Sequence, residues 1–307
     1  MTTSNPLVSI GIPTYNRPNQ LRRALESACN QRYKNIEIIV SDNCSPGSET
    51  NEIVSEFLSK DDRIRFFRQK KNEGMMFNFY FVLEMAKGHY FFWLSDDDYI
   101  SPDFISILLQ YLEMDKSIMV AMCATQRIDQ NGVKLDIIRN FNTHLDLNHS
   151  NNIQLAFNVV NNDFMSYWIY GIFRTQFIKE IVINIIHGFA EDILIVTNVM
   201  LAGKIYYIDE ILQYREMHNL QTDELYRNEQ VGKYYGEKLK FYKKFYYLHI
   251  YLWRSSLISF QRKLLIPVIV LKGLCWQLVF DIRKIFIIII LLISRIMIIT
   301  RNKFKVQ

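Results

Sequence analysis

Three consecutive carboxylates, Asp96, Asp97 and Asp98, follow directly on the apolar run Tyr90–Leu94 and Ser95. Like charges this close repel, so an acidic cluster at the end of a strand suggests a cation that relieves the repulsion. Carboxylate oxygens suit hard ions such as Mg2+ or Mn2+, which also bridge phosphates. The alternative is a polar loop whose aspartates solvate a turn and cap a helix. A second carboxylate, Asp42, ends the apolar run Ile36–Val40, where it could accept hydrogen bonds from a base or a ribose; here the alternative is a turn aspartate capping the next helix. Downstream, Glu191 and Asp192 stand at a helix start, where either could deprotonate an incoming nucleophile. Acids are also favoured there by the helix macrodipole alone.

The elements that must position these groups alternate regularly. Leu7–Ile12 reads as a strand and Asn19–Asn30 as a helix, with Leu21, Ala24, Leu25 and Ala28 at helical spacing. Ile36–Val40 is a strand, Glu49–Ser59 a helix, Arg63–Phe67 a strand, and Asn72-Glu73-Gly74 opens a helix to Lys87. Tyr90–Leu94 follows as a strand. Ser101-Pro102 then signals a helix through Met114, with Ser101 as N-cap, and Ser117–Thr125 is a further strand. Such alternation predicts an α/β fold: a mostly parallel central sheet with helices on both faces. In such sheets ligands bind beyond the carboxyl ends of the strands. Four of those ends carry polar residues: Thr14/Tyr15/Asn16, Asp42/Asn43, Arg68 to Gly74, and Asp96 to Asp98. Residues 128–165 are a polar, Asn-rich excursion. Beyond it come an extended segment Met165–Phe173, a helix Ile193–Ala202, and two short strands, Lys204–Ile208 and Ile211–Arg215.

No G-x-G-x-x-G follows the first strand, and there is no P-loop, H-E-x-x-H or G-x-S-x-G. The four cysteines, Cys29, Cys44, Cys123 and Cys275, form no CxxC pair, which argues for free thiols rather than a zinc or disulfide framework. The start, MTTSNPLVSIG, lacks a basic region followed by an apolar run, so a secretory leader is not expected and the catalytic body is placed in the cytoplasm.

Several of these segments together resemble the family 2 glycosyltransferases with the GT-A fold. The likeness is carried by Val8-Ser9-Ile10-Gly11-Ile12-Pro13-Thr14-Tyr15-Asn16-Arg17, Glu37-Ile38-Ile39-Val40-Ser41-Asp42-Asn43-Cys44-Ser45, Asn72-Glu73-Gly74 and Leu94-Ser95-Asp96-Asp97-Asp98, in that order. It spans about residues 6–125, and more loosely Glu191-Asp192 through Tyr214-Arg215 and His218. The resemblance implies that Pro13, Thr14, Tyr15, Arg17 and Asn72 line the nucleotide pocket and that Asp42 contacts the base. It implies a DXD-type metal motif in the acidic triplet, for Mg2+ or Mn2+. Ser95 stands where the commoner L-D-A-D-D form has its first aspartate, so Asp97 is the first choice of ligand and either Asp98 or Asp96 its partner. Asp192 matches the family's catalytic base, and Arg215 and His218 match an element that closes over the diphosphate. The implied reaction is an inverting transfer of a sugar from a nucleotide-diphosphate donor to an acceptor hydroxyl. The alternative of the same chemistry is a sugar nucleotidyltransferase, which would want a Gly-rich basic loop after the first strand; the alternative of another class is a non-catalytic, membrane-bound glycan-binding or scaffold protein.

The end of the chain differs in character. The whole chain carries +5, yet from Lys233 onward there are 15 Lys/Arg against Glu237 and Asp281, which leaves an acidic body before a basic tail. Apolar residues make up 50% and aromatics 14%, rich enough to suggest a surface facing lipid. The stretch Ile285–Ile299 would make a helix about 22 Å long, short of the ~30 Å hydrocarbon core. Lys284 and Arg295 fall nearly on one face of it, so it could lie flat against anionic head groups. The expected organisation is a catalytic domain over residues 1–229, with a nucleotide-binding half (6–127) and an acceptor half (128–229), then a helical, membrane-associating extension over 230–307. That places the protein on the cytoplasmic face of the inner or plasma membrane, peripheral or monotopic. Its acceptor would be a lipid-linked or growing envelope glycan, such as an O-antigen, lipopolysaccharide or capsule unit. Nucleic acid is not expected, because the cations are embedded among aliphatics.

Overall fold

The computed structural model describes residues 5–138, 170–183, 191–217 and 249–267. The three innermost apolar runs of the first half form parallel strands. They are β1 (Val8–Thr14), β2 (Ile36–Asp42) and β4 (Tyr90–Trp93), all fully buried. β3 (Ile64–Arg68) lies outside β2, giving the parallel order β3-β2-β1-β4. Burial on both faces explains why these strands read as continuous hydrophobic segments rather than as alternating ones.

Side chains still alternate between two cores. Val8, Ile10, Ile12, Ile36, Ile38, Val40, Tyr90 and Phe92 point to one, against α1 (Pro18–Cys29), α2 (Glu49–Leu58) and α4 (Phe104–Met114). Ile39, Phe91 and Trp93 point to the other, against α3 (Met75–Glu84), α5 (Thr175–Ile183) and α6 (Glu191–Ala202). On this second face Gly11 allows α3 to lie close. A Cβ there would come within 2.7 Å of Val82 Cγ2 and 2.8 Å of Phe91 Cζ, closer than packed carbons approach.

The expected helices on both faces are present, but the sheet is mixed rather than mostly parallel. Beyond β4 come β8 (Ile172–Arg174), β6 (Ile118–Ile128), β9 (Lys204–Glu216) and the two-residue β5 (Tyr99–Ile100), with β7 (Lys134–Ile138) beside β6. β8 runs antiparallel to both β4 and β6, and so do β5 to β9 and β7 to β6; only β6 and β9 are parallel in this half. Lys204–Ile208 and Ile211–Arg215, expected as two strands, are one. Asp209 and Glu210 are taken up where the register slips, Cys123 facing Ile208 but Ala124 facing Ile211, so a polar interruption marks a bulge and not an end.

The helix expected from Ser101 starts later, at Phe104. The Ser101 amide donates to the Leu212 carbonyl at 2.8 Å and its carbonyl accepts from Gln31 Nε2 at 2.7 Å, holding this residue to β9 and to the turn that follows α1. The described part of the C-terminal extension, residues 249–267, is built into the second core. Tyr251, Leu252, Ile258 and Ile266 are buried there. Tyr251 Oη donates to the Ile181 carbonyl at 2.7 Å and Arg262 Nη1 to the Leu201 carbonyl at 2.7 Å. Among the described residues, no helix is long and apolar enough to cross a membrane. The stretch 285–299 lies outside them.

Candidate active site

The carboxyl ends of β1, β2 and β4 lie side by side, and side chains stitch them together. Two non-glycine residues take left-handed backbone conformations here, Asn16 after β1 (φ 54°) and Cys44 after β2 (φ 65°). Such strain persists only where surrounding contacts impose it. Those contacts are visible: the Asn16 amide donates to Ser45 Oγ at 2.7 Å, and the Asn43 amide to the Thr14 carbonyl at 2.9 Å. Asn78, buried on α3, donates from Nδ2 to the carbonyls of Ser41 (2.9 Å) and Thr14 (3.2 Å) and accepts from Ser41 Oγ.

Asp42 sits fully buried at the end of β2. Its Oδ1 accepts from the Ser45 amide at 3.0 Å and from the Ser45 hydroxyl, so the turn-capping role is occupied. Its Oδ2 has no hydrogen-bond partner among the described residues and lies 3.6 Å from Arg68 Nε. A nucleotide contact would fall to that second oxygen or to Arg68. Asn72 bridges this wall to the start of α3, accepting from Asn43 Nδ2 at 2.9 Å and from the Gly74 amide at 2.9 Å. Gly74 takes φ 94°, a conformation a side chain would strain.

The acidic triplet faces the end of β1. Thr14 Oγ1 donates to Asp96 Oδ2 at 2.7 Å, and the Tyr15 amide also reaches that carboxylate. Arg17 Nη1 donates to Asp97 Oδ2 at 2.5 Å and stands 3.6 Å from Asp96 Oδ1. Ser95 Oγ donates to Asp97 Oδ1 at 2.6 Å, so Ser95 orients its neighbour. Asp98, only 1% exposed, accepts the Glu216 amide on Oδ1 at 3.3 Å. Its Oδ2 has no hydrogen-bond partner among the described residues.

Burial, then the charge of Asp97, pushes the Asp96 carboxyl up to about 7 against the pull of Arg17 and the Thr14 hydroxyl. The same two causes raise Asp98 well above the carboxylate range, with Arg215 opposing. This crowding, and a buried oxygen left without a donor, is what a divalent ion would relieve, and hard carboxylate oxygens suit Mg2+ or Mn2+. Among the described residues no three His, Cys, Asp or Glu side chains form a ready metal cage, so an ion here would need further oxygens from a substrate.

The structure thus brings together Thr14, Tyr15, Arg17, Asp42, Asn72, Asp96, Asp97 and Asp98, with Pro13 buried in β1 opposite Ser41. Arg215, on β9, lies over the Tyr170 ring at 5.0 Å and acts on Asp98. The backbone of Asp192 forms the first turn of α6; its side chain, and the whole of His218, lie outside the described residues. Arg23, Asn78 and Glu216 carry no role assigned from the sequence, and Ser45 stands there only as the last residue of a resembling segment. Asn78 had a signal, a polar residue inside an apolar helix. Arg23 and Glu216 had none, since each reads as an ordinary surface charge.

The chain is similar to known proteins in both sequence and fold. The family model described as Glycosyl transferase family 2 matches residues 9–181. An uncharacterized glycosyltransferase of Rickettsia bellii is 37% identical over 140 residues, which is 45% of this chain and 20% of that protein. The chondroitin synthase of Pasteurella multocida is 31% identical over 129 residues, 41% of this chain and 13% of the synthase. The chain therefore matches only a minor part of the length of these relatives. In fold, it is similar to S. aureus TarS crystallised with UDP-GlcNAc, with a TM-score of 0.64 at 19% identity over 89% of this chain and 73% of that one.

Proposed function

The chain belongs to glycosyl transferase family 2, and from that membership we propose that it moves a sugar from a nucleotide-diphosphate donor to a hydroxyl of a glycan, with inversion at the anomeric carbon. The observation that carries this reading is the meeting of Thr14, Arg17, Asp42 and the Asp96–Asp98 cluster at three adjacent parallel strand ends. Asp42, with Arg68 and Asn72 beside it, receives the nucleoside. Asp97 with Asp98 or Asp96 would hold Mg2+ or Mn2+, which when bound neutralises charge on the departing diphosphate. Arg17 already neutralises Asp97 and would shift toward phosphate oxygens as that site fills. Arg215 and His218 would hold the diphosphate. Asp192, in the first turn of α6, takes the acceptor's hydroxyl proton. The acceptor oxygen bonds to the anomeric carbon as the carbon–oxygen bond to phosphate breaks, and that electron pair leaves with the nucleoside diphosphate.

The acceptor we propose is a lipid-linked or growing envelope glycan, reached from the cytoplasmic face of a membrane. Support comes from the basic, aliphatic end of the chain and from Phe260 (70% exposed) and Leu264 (56% exposed), one helical turn apart beside Lys263. The chondroitin synthase relative fits a polysaccharide product. The reading is tested by thermal shift with UDP-, GDP- and dTDP-sugars in Mn2+. One nucleotide series should raise the melting temperature, as a ligand present at 100 times its Kd adds about 2.7 kcal/mol. No shift with any donor would count against it.

A further inference from the structure

We propose that Arg23 is a positioning residue that holds the acidic loop to the end of β9 and so sets where Asp97 and Asp98 stand relative to Arg215. Arg23 projects from the middle of α1, and one nitrogen of its guanidinium makes both bonds. Nη2 donates to the Asp97 main-chain carbonyl at 2.6 Å and to Glu216 Oε2 at 2.5 Å. The Glu216 amide in turn donates to Asp98 Oδ1. A closed ring results: Arg23 to the Asp97 carbonyl, along the chain to the Asp98 carboxylate, to the Glu216 backbone, and through the Glu216 side chain back to Arg23.

A second set of contacts braces the same ring. The guanidinium lies 5.4 Å from the Tyr99 ring centroid, and Tyr99 stacks on Tyr214 at 4.6 Å and 6°. β5 has just two residues, Tyr99 and Ile100, paired with Tyr214 and Gln213, too short to hold its own register. The loop between β4 and β5 therefore depends on side-chain ties, and the two polar contacts of Arg23 named here fall on the main chain of Asp97, a candidate ligand, and on Glu216, the neighbour of Arg215. The Glu216 carboxylate is 4% exposed and Arg23 30%, so the pair is poorly screened and its loss removes a close counter-charge from a buried carboxylate. Arg23 itself touches none of the reacting groups; it acts through Asp97 and Glu216.

The kinetic arm of the test rests on the glycosyl-transfer reading, while the structural arm does not. Hydrogen exchange is followed by mass spectrometry in Arg23→Gln, Arg23→Lys and Glu216→Gln, with residues 36–42 as the internal reference. In Arg23→Gln and Glu216→Gln, exchange over 95–100 and 212–217 should quicken about tenfold while 36–42 stays within twofold of wild type. With the donor that wild type uses, kcat for nucleoside diphosphate release should fall about 10- to 100-fold, as for other residues that orient ligands from behind. Arg23→Lys keeps a cation able to donate to both oxygens and should recover most of both properties. Unchanged exchange over 95–100 overturns the proposal. So does faster exchange everywhere, with kcat per folded molecule unchanged, which marks a merely stabilising contact. Faster exchange confined to these segments in a protein that releases nothing from any donor supports the clasp and sinks the enzymatic reading instead.

Discussion

Glu37→Gln separates what holds the sheet from what performs chemistry on it. Glu37 lies on β2 at the end of the sheet away from the carboxylates and is 8% exposed. Its Oε1 accepts from Ser9 Oγ and from the Lys87 amide, both at 2.6 Å, and Oε2 accepts from Arg65 Nη1 at 2.7 Å. Ser9 Oγ also accepts the Gly88 amide at 2.8 Å, so the network ties β1, β2, β3 and the start of β4. Glutamine keeps the size but turns one acceptor into a donor facing donors, and it leaves Arg65 without its counter-charge. A stranded donor costs about 1–3 kcal/mol and a broken buried ion pair about 3–5 kcal/mol. Arg65 is partly solvated, so about 3 kcal/mol is expected in all, or about 6–12 °C in melting temperature for a domain of this size. Burial raises the Glu37 pKa, but the hydrogen bonds from Ser9, Lys87 and Arg65 outweigh it and the net shift is downward. A lowered folded pKa gives stability that is complete at neutral pH and is lost as pH falls through the folded value. Acid unfolding of the variant should therefore be shallower than that of wild type below about pH 4. The assay is thermal unfolding from pH 3 to 8, with turnover measured per folded molecule. A melting shift under 2 °C, or a loss of kcat beyond twofold at full folding, would refute the reasoning.

Two further outcomes follow from packing. Gly11→Ala puts a methyl against Val82 and Phe91 and should destabilise by about 1–3 kcal/mol; Val82→Ala in the same chain should recover part of that loss in denaturant unfolding, and no recovery would mean α3 is not what excludes the methyl. A chain ended after Pro267 keeps Tyr251, Leu252, Ile258 and Ile266 in the core, so it should melt within a few degrees of the full chain yet lose partitioning onto anionic vesicles. A chain ended at residue 230 should lose both, and vesicle binding that survives the Pro267 truncation would contradict a membrane role for the residues beyond it.

Much of the first half was legible because its signals are local. β1, β2 and β4 are apolar runs ended by polar residues, and in α1 the spaced Leu21, Ala24, Leu25 and Ala28 are the residues that become buried. Strand direction in the second half was not legible, since β8 has three residues and β5 two, and their pairing is decided by partners far along the chain. Ser101-Pro102 carried a valid helix-start signal, but tertiary hydrogen bonds to Leu212 and Gln31 took that residue for another purpose. At the site, the residue types that bear chemistry could be read at their strand ends. The supports behind them could not: Arg23 on the polar side of a helix and Glu216 at a strand's end become meaningful only once folding places one against the other.

The measurement that bears most directly on the account is turnover of the full chain with a donor panel and an acceptor extract, with the anomeric configuration of the product read by NMR. Wild type should release nucleoside diphosphate from one donor class, require Mg2+ or Mn2+, and yield the inverted anomer. Asp97→Ala and Asp192→Asn should each lower kcat by about 100-fold or more, the scale of losing an electrostatic stabiliser or a base. Retention of configuration, or full turnover in either variant, would contradict it.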